Sequence, residues 1–500
     1  MKEYNVVVIG AGNAGIAAAA ALAQQGLKPL VIEQHNLPGG CASSFVRGRF
    51  EYDVSLHSMC YETQFRPVLE GMMGLTAQFV GEADEFDIVY VEDGKIHRDH
   101  YALSGDMAQQ IEENHPGSGA RFPELVALML EMQAAFMAAA APDADMQAIM
   151  AQYPHFAQCG GMTLEQVLDL YDAPPYLRSL ISMFWWYLGQ KPADAPFPLY
   201  SIIAGGEFTE ALGFPKETSH EYLAELETII RKHGGDIWYN TTATRIHTES
   251  GAVCGVETAQ GDQIKTSCVV CNIDPRAAVG TMLTGADAFK EQFLQKQRLI
   301  KENFSFMTIY LGMNASAEEL GIRCHHIHIT EDLDANKIYD ACGSWEGPRT
   351  IGILCPNITV PDFSPAGTCV LTISVPVQGS ILEGLSQRDY FRIKQEFEKA
   401  IIEKVETYLG VDLKSHIEEI ETATPATLSR YAGLYNGGLG NIISWPQMQM
   451  GRELAETLNN SIKGLSFVGQ YVGNLGYQNV VAGYMFGLNA ANMMKGGEGK

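Results

Sequence analysis

The sequence predicts an α/β fold: a Rossmann-type nucleotide-binding domain interleaved along the chain with an α+β domain that carries a helical cap. Three observations predict it. The N-terminus reads as strand, glycine-rich turn, helix, strand and acid. A strand-and-helix pattern resumes after Phe214-Pro215-Lys216. The C-terminal segment runs from a strand through spaced glycines into a last helix.

The first unit is the most specific. Val6-Val7-Val8-Ile9 is a continuous apolar run rich in β-branched residues, as expected of a parallel strand buried on both faces. Gly10-Ala11-Gly12-Asn13-Ala14-Gly15 follows, then an Ala-rich helix to Gln25, closed by Gly26. Pro29-Leu30-Val31-Ile32 is a second strand ending at Glu33. Gly10 permits the tight turn, Gly12 lets a pyrophosphate approach, and Gly15 lets helix and strand pack closely. The helix N-terminus offers free N–H groups to the phosphates. Glu33 lies roughly twenty residues on, where an acid bonds the ribose hydroxyls. The chain is therefore expected to bind a dinucleotide. No second unit of this kind follows, so no second built-in dinucleotide domain is expected.

Composition bounds the rest. With 500 residues and a formal charge of −25, the chain is a poor nucleic-acid binder, because phosphate contacts need clustered Lys and Arg. The same charge opposes docking on an anionic membrane. Ten Cys in this length are not a disulfide scaffold. The N-terminal apolar stretch reads as strand and turn rather than an export signal, and the expected compartment is cytoplasmic. The apolar run Leu125 to Ala141 carries Glu131 and Gln133 and is expected to be a packed helix rather than a span.

After Glu33-Gln34-His35 comes Gly39-Gly40-Cys41, and then Phe50-Glu51-Tyr52-Asp53-Val54-Ser55-Leu56-His57. These segments resemble the FAD-binding fold, glutathione-reductase-like, of the phytoene desaturase, carotenoid isomerase and retinol saturase family. Amine oxidases are more distant relatives. The match to the family's F-D-x-G-x-H departs at Ser55. A family segment Y-P-K-G-G is matched at Phe214-Pro215-Lys216, with Glu217-Thr218 in place of the glycines. Its following T-x-V is matched up to Ala243. Thr424-Pro425-Ala426-Thr427-Leu428-Ser429-Arg430-Tyr431 is similar to T-P-x-T-x-x-R-Y, and Gly469-Gln470 with Gly476 and Gly483 to the last flavin segment. The resemblance implies FAD contacts at Gly10, Gly12, Asn13, Ala14, Gly15, Glu33, Gln34, Gly39, Gly40, Cys41, Ala42, Ala243, Gly469, Gln470, Gly476, Asn479 and Val480. It implies a discontinuous FAD domain (1–65, 206–285 and 421–500) and a substrate domain (66–205 and 286–420). Covalent relatives in the superfamily attach flavin to a Cys near the last helix. No Cys follows Cys369, so non-covalent FAD is expected.

Between these motifs, residues 60–200 look helical and Met-rich, with the bulky patch Met183-Phe184-Trp185-Trp186-Tyr187. Such stripes are ordinary core, or here the wall of an apolar tunnel. Strands at Ser305 to Leu311 and Thr368 to Pro376 and a charged helix from Gln387 to Leu409 suit a sheet-bearing substrate domain. Cys268-Val269-Val270-Cys271 has C-x-x-C spacing, but in a strand its thiols face opposite sides. His325, His326 and His328 read as outward residues of a strand. No metal site is expected.

The family resemblance implies an oxidoreductase acting on carbon–carbon bonds of an apolar polyene, isoprenoid or lipid-like substrate by desaturation, saturation or isomerisation. Candidate catalytic residues, by position beside flavin motifs, are His57, Tyr431 and Tyr471. An amine or amino-acid oxidase is the alternative, followed by a non-catalytic prenyl or lipid carrier. Membrane contact, if made, would be weak and peripheral, at the inner face. The oligomeric state is not legible.

Overall fold

A computed structural model describes residues 2–497 apart from 56, 57, 60, 140–143, 210–211, 302, 441–443 and 473–477. In chain order, the elements that position the site begin with β1 (Val6–Ile9), α1 (Asn13–Gln24), β2 (Pro29–Ile32), β3 (Glu85–Glu92), β4 (Lys95–Ala102) and α2 (Phe122–Ala139). Next come α3 (Trp185–Leu188), α4 (Phe197–Glu207), α5 (Ser219–Lys232), β5 (Asp236–Trp238), β6 (Val269–Cys271) and β7 (Ser305–Met313). Then follow β8 (His326–Thr330), β9 (Thr350–Leu354), β10 (Cys369–Val377), α6 (Gln387–Leu409), β11 (Ile417–Ala423), α7 (Pro425–Ala432), β12 (Leu465–Phe467) and α8 (Gln478–Gly497).

The first layer is a five-stranded parallel sheet in the order β5-β2-β1-β6-β12. Its strands are short apolar runs because both faces are covered. On one face lie α1, α5 and α8; on the other, a small sheet of Ala243–Glu249, Ala252–Thr258 and Gln263–Lys265 packs Ile246, Val256 and Ile264 against Ile9 and Ile32. Cys268 and Cys271 contribute to these two opposite clusters. Helix α1 is almost wholly buried, so alanine serves it well. A Cβ added at Gly483 of α8 would meet the Ala14 carbonyl oxygen at 2.2 Å. Gly483 is therefore a helix-packing residue.

The second layer is a seven-stranded mixed sheet in the order β11-β7-β10-β9-β8-β3-β4. Helix α6 covers one face with Phe397, Ile401, Ile402 and Val405. It starts at Ser386, whose side chain accepts from Asp389 N–H, and stops at left-handed Gly410. The helical cap covers the other face near β3 and β4. Gly119–Ala139 is long and apolar enough to cross a membrane by length and composition. Its Leu125, Leu128, Met129 and Met132 are buried and it packs on α4, while Leu130 and Met137 remain exposed.

Two expectations are corrected. Residues 60–200 are not uniformly helical, because β3 and β4 form a hairpin there. Asp93-Gly94 makes its tight turn with positive φ at both positions, 49° and 73°, the conformation a two-residue hairpin needs. The histidines in β8 and just before it are not all outward. His325 and His328 are buried, because both faces of this sheet are covered, and His328 meets the ring of Trp186 edge-on. Burial pushes His325 down to about 4 and His328 to about 3, so both are neutral imidazoles near pH 7.

Candidate active site

The carboxyl ends of β1 and β6 flank the point where strand order reverses, which is where open α/β sheets bind ligands. The turn after β1 is held from below. Glu33 Oε2 accepts from Ala11 N–H at 2.7 Å and Oε1 from His35 N–H at 2.8 Å. Gly39 N–H donates to the Ala11 carbonyl at 2.8 Å, so the two glycine segments lie side by side. The Ser55 hydroxyl donates to the Cys41 carbonyl at 2.6 Å, so the serine that replaces the family glycine ties the second segment down. Asn13 Oδ1 accepts from Tyr222 at 2.7 Å, anchoring the start of α1 to α5. Helix α1 has no side-chain cap at Gly12 and no acid in its first turn. Its first N–H groups are thus left for an anion.

Asn272, directly after β6, is a site residue that the motifs do not mark. Its side chain lies between the N-terminal glycine turn and the C-terminal glycine at 469. A Cβ at Gly12 would meet its Nδ2 at 2.6 Å, and one at Gly469 would meet its Oδ1 at 2.5 Å. Gly469 holds φ at 101°, open mainly to glycine. The amide lines the cavity and has no hydrogen-bond partner among the described residues. Only the strand order, which places β6 at the switch point, would have singled it out. Asn272→Ala is expected to weaken FAD binding about tenfold, since a hydrogen bond to a charged group contributes about 1.5 kcal/mol. Titrating FAD into the apoprotein and following its fluorescence checks this; an unchanged Kd would show that the amide does not reach the cofactor.

A cavity of about 270 Å³ runs from this cradle into the second layer. Gly12, Asn13, Ala14, Gly39, Gly40, Cys41, Ala42, Gly469, Gln470 and Asn479 line its inner end. Along β7, alternate residues Phe306, Thr308 and Tyr310 face it, with Ser374 of β10 paired opposite Thr308. Trp186 and Tyr187 of α3 line it too, together with Leu428, Leu434 and Leu439. The bulky aromatic patch thus divides: Met183, Trp185 and Leu188 are core, while Trp186 and Tyr187 are wall.

The remaining sequence candidates fall in different places. Glu33 and Gln34 lie outside this cavity, Glu33 buried and Gln34 exposed. Ala243 packs on the Ile9/Ile32 cluster beside the Thr241-to-Glu33 backbone bond. Gly10 and Gly15 lie beneath the turn, and Val480 is buried in the core of α1 and α8. Tyr431 is 57% exposed and stacks on His35 at 5.7 Å, away from the cavity lining. Tyr471 does line it, but its hydroxyl accepts from Tyr435 N–H at 3.4 Å and burial raises its pKa. It is therefore unsuited to act as a base. His57 and Gly476 lie outside the described residues.

The cavity is electrically quiet. Burial pushes the Cys41 thiol up to about 12 and also raises Tyr187 and Tyr310. Asp274 is the carboxylate among the described lining residues, and Arg276 grips it with Nη2 at 2.6 Å. Such a water-poor, neutral site suits hydride transfer to or from an apolar carbon. It offers no free carboxylate among the described residues to receive a cationic amine. FAD fits the cradle: an uncapped helix start, glycines at which any added Cβ would crowd Asn272 or the facing turn, and a buried acid beside the second strand.

Residues 8–73 match the family model described as an NAD(P)-binding Rossmann-like domain. The chain is 22% identical to all-trans-retinol 13,14-reductase of Rattus norvegicus, over 87% of this chain and 77% of that protein. It is 22% identical to the chloroplastic prolycopene isomerase of Daucus carota, over 88% and 72%. It is 24% identical to phytoene desaturase of Phycomyces blakesleeanus, over 93% and 81%. Among solved structures, putrescine oxidase bound to putrescine superposes with a TM-score of 0.67 at 14% identity, covering 99% of each chain. Cyclohexylamine oxidase from Brevibacterium oxydans gives 0.66 at 15%, covering 98% and 99%. The structural likenesses concern the fold. The chain thus carries a Rossmann-like dinucleotide cradle that fits FAD, and over most of its length it is similar in sequence to a retinol reductase, a prolycopene isomerase and a phytoene desaturase.

Proposed function

We propose that the chain is an FAD-dependent oxidoreductase acting on carbon–carbon bonds of an apolar polyene, isoprenoid or lipid-like substrate. The observation that carries this is the single cavity joining the Gly12/Gly40/Asn272 cradle to the wall of Trp186, Phe306 and Leu434. Bound FAD supplies hydride exchange at its N5. The chain's own residues do the rest. The α1 N-terminus and the two glycine segments would hold the pyrophosphate. Glu33 and Gln34, outside the cavity at the end of β2, would hold the ribose. Trp186, Phe306 and Leu434 exclude water and lay an extended apolar chain along the cavity. The names of the relatives, a reductase, an isomerase and a desaturase, support all three outcomes on this one geometry.

The test is spectral. Under anaerobic conditions, a polyene that bleaches the oxidised flavin is an electron donor, and one that reoxidises the reduced flavin is an acceptor. A double bond that changes geometry with no net flavin change marks isomerisation. Bleaching by amines with peroxide release, while no polyene or unsaturated lipid responds, would sink the reading.

The FAD domain is built from 1–65, 206–285 and 421–500, and 66–205 with 286–420 shape the substrate side. The flavin is held without a covalent bond, so acid precipitation should release all of it; yellow colour retained in the washed pellet would refute this. An external carrier exchanges electrons with a cytoplasmic enzyme. Contact with a membrane's inner face would run through the apolar side chains exposed on the cap, Leu130, Met137, Met146 and Met150.

A further inference from the structure

At the far edge of the second layer, away from the flavin cradle, three side chains of different chemistry converge. Asp87 of β3 and His100 of β4 are direct cross-strand partners, so both project from one face of the hairpin. Cys324 reaches them from the segment leading into β8, which pairs with β3. His100 Nδ1 lies 2.9 Å from Asp87 Oδ1 and 3.7 Å from Cys324 Sγ. One ligand atom from each residue falls within 4.8 Å of the other two.

We propose that Asp87, His100 and Cys324 form a zinc-binding site, with water in the fourth position. Tetrahedral zinc with bonds of 2.0–2.3 Å sets its ligand atoms about 3.3–3.8 Å apart. The observed separations need shifts of only a fraction of an ångström to a little over one. The surroundings are those of a metal site rather than of a bare polar cluster. With Nδ1 on the metal, His100 turns Nε2 toward Glu85, whose carboxylate is 3.8 Å away. A small turn of either side chain would close this to the hydrogen bond that a ligating imidazole ordinarily makes to a carboxylate. Arg98 Nε donates to Asp87 Oδ2 at 2.8 Å, fixing this carboxylate while Oδ1 stays turned to the ligand cluster. Asp87 and Cys324 are buried, and the His100 side chain is about half exposed, which leaves an entry path.

Charge closes as well. Thiolate, Asp87 and Glu85 supply three negative charges, and Arg98 with Zn²⁺ supplies three positive. Without metal, burial and the Asp87 carboxylate push the Cys324 thiol up to about 12. Binding must therefore release that proton to solvent, and affinity falls as pH falls. The site would pin the β3–β4 hairpin, which leads into the helical cap, to β8.

The test uses the flavin-loaded protein under anaerobic conditions, with Co²⁺ as a spectroscopic substitute and Zn²⁺ for affinity. One equivalent of Co²⁺ should give a thiolate-to-cobalt band in the difference spectrum. It should also give four-coordinate d–d bands at wavelengths beyond the oxidised flavin. Cys324→Ser should lose the thiolate band, and His100→Ala should weaken Zn²⁺ at least tenfold against a fluorescent indicator. Zn²⁺ should raise the Tm of the wild type and not that of Cys324→Ser. The site is refuted by the absence of one-to-one binding, or by a thiolate band that survives Cys324→Ser and so comes from another thiol such as exposed Cys254. Should Cys324→Ser not fold, His100→Ala, at a half-exposed position, decides: undiminished Zn²⁺ affinity overturns the site.

Discussion

Gly15→Ala should strip the flavin from this protein. A Cβ at that position would meet the Gly10 carbonyl oxygen at 2.2 Å and Asn272 Cβ at 2.9 Å. Neither obstacle is the end of a flexible side chain. One is the backbone of the turn after β1, and the other is the root of the side chain that follows β6. Helix α1 must therefore move off the sheet at the place where its N-terminus would meet the pyrophosphate. Overpacking of this kind costs about 3 kcal/mol, which is about two orders of magnitude in FAD affinity when the strain falls on the bound geometry. The melting temperature should fall with it. Gly161→Ala is the control, because a Cβ there meets nothing within 4 Å, and it should retain flavin and Tm. Wild-type FAD affinity in Gly15→Ala would show that the helix start can yield without loss, and that the third glycine is not what holds the cradle closed.

What the sequence made legible follows from how each element is buried. Val6–Ile9 and Pro29–Ile32 are strands with every residue buried, and a strand buried on both faces announces itself as a short apolar run. Helix α6 covers one face of a sheet, so its apolar side recurs at helical spacing, and its serine start and glycine stop bound it. The β3–β4 hairpin was obscured because helix-rich sequence surrounds it, although Asp93-Gly94 marked its turn. Asn272 escaped because a single asparagine after a strand carries no motif; its meaning comes from strand order, which no local pattern encodes. Tyr431 and Tyr471 flank flavin motifs equally well in sequence. Proximity along the chain does not say which way a ring turns, and one faces solvent while the other is sealed by a backbone donor. His325, His326 and His328, at and just before β8, looked alike because alternation cannot tell a solvated face from one roofed by aromatic side chains.

Asp53→Asn should stabilise the protein at pH 8 and leave it unchanged near pH 4. Asp53 ends the strand Phe50–Asp53, and its Oδ1 accepts from Ser219 N–H at 2.9 Å, at the start of α5. Burial, with the nearby Glu51 charge adding to it, pushes its carboxyl up to about 7 from 3.8, against the pull of that hydrogen bond. The sign follows from the protons. Below about pH 4 both folded and unfolded chains hold the proton, and the site costs nothing. Between about pH 4 and 7 the unfolded chain ionises while the folded one resists, so stability falls as pH rises and then levels off. Three units correspond to about 4 kcal/mol. Asp53 keeps some solvent contact, which screens the charge, so about 2 kcal/mol is expected. Asparagine keeps an oxygen for the Ser219 N–H and has nothing to ionise. Thermal melts of both proteins across pH 4–8 should therefore start together and diverge, the variant above. A variant that melts lower than wild type throughout would mean that the folded protein favours the carboxylate, and that the helix start of α5 outweighs its burial.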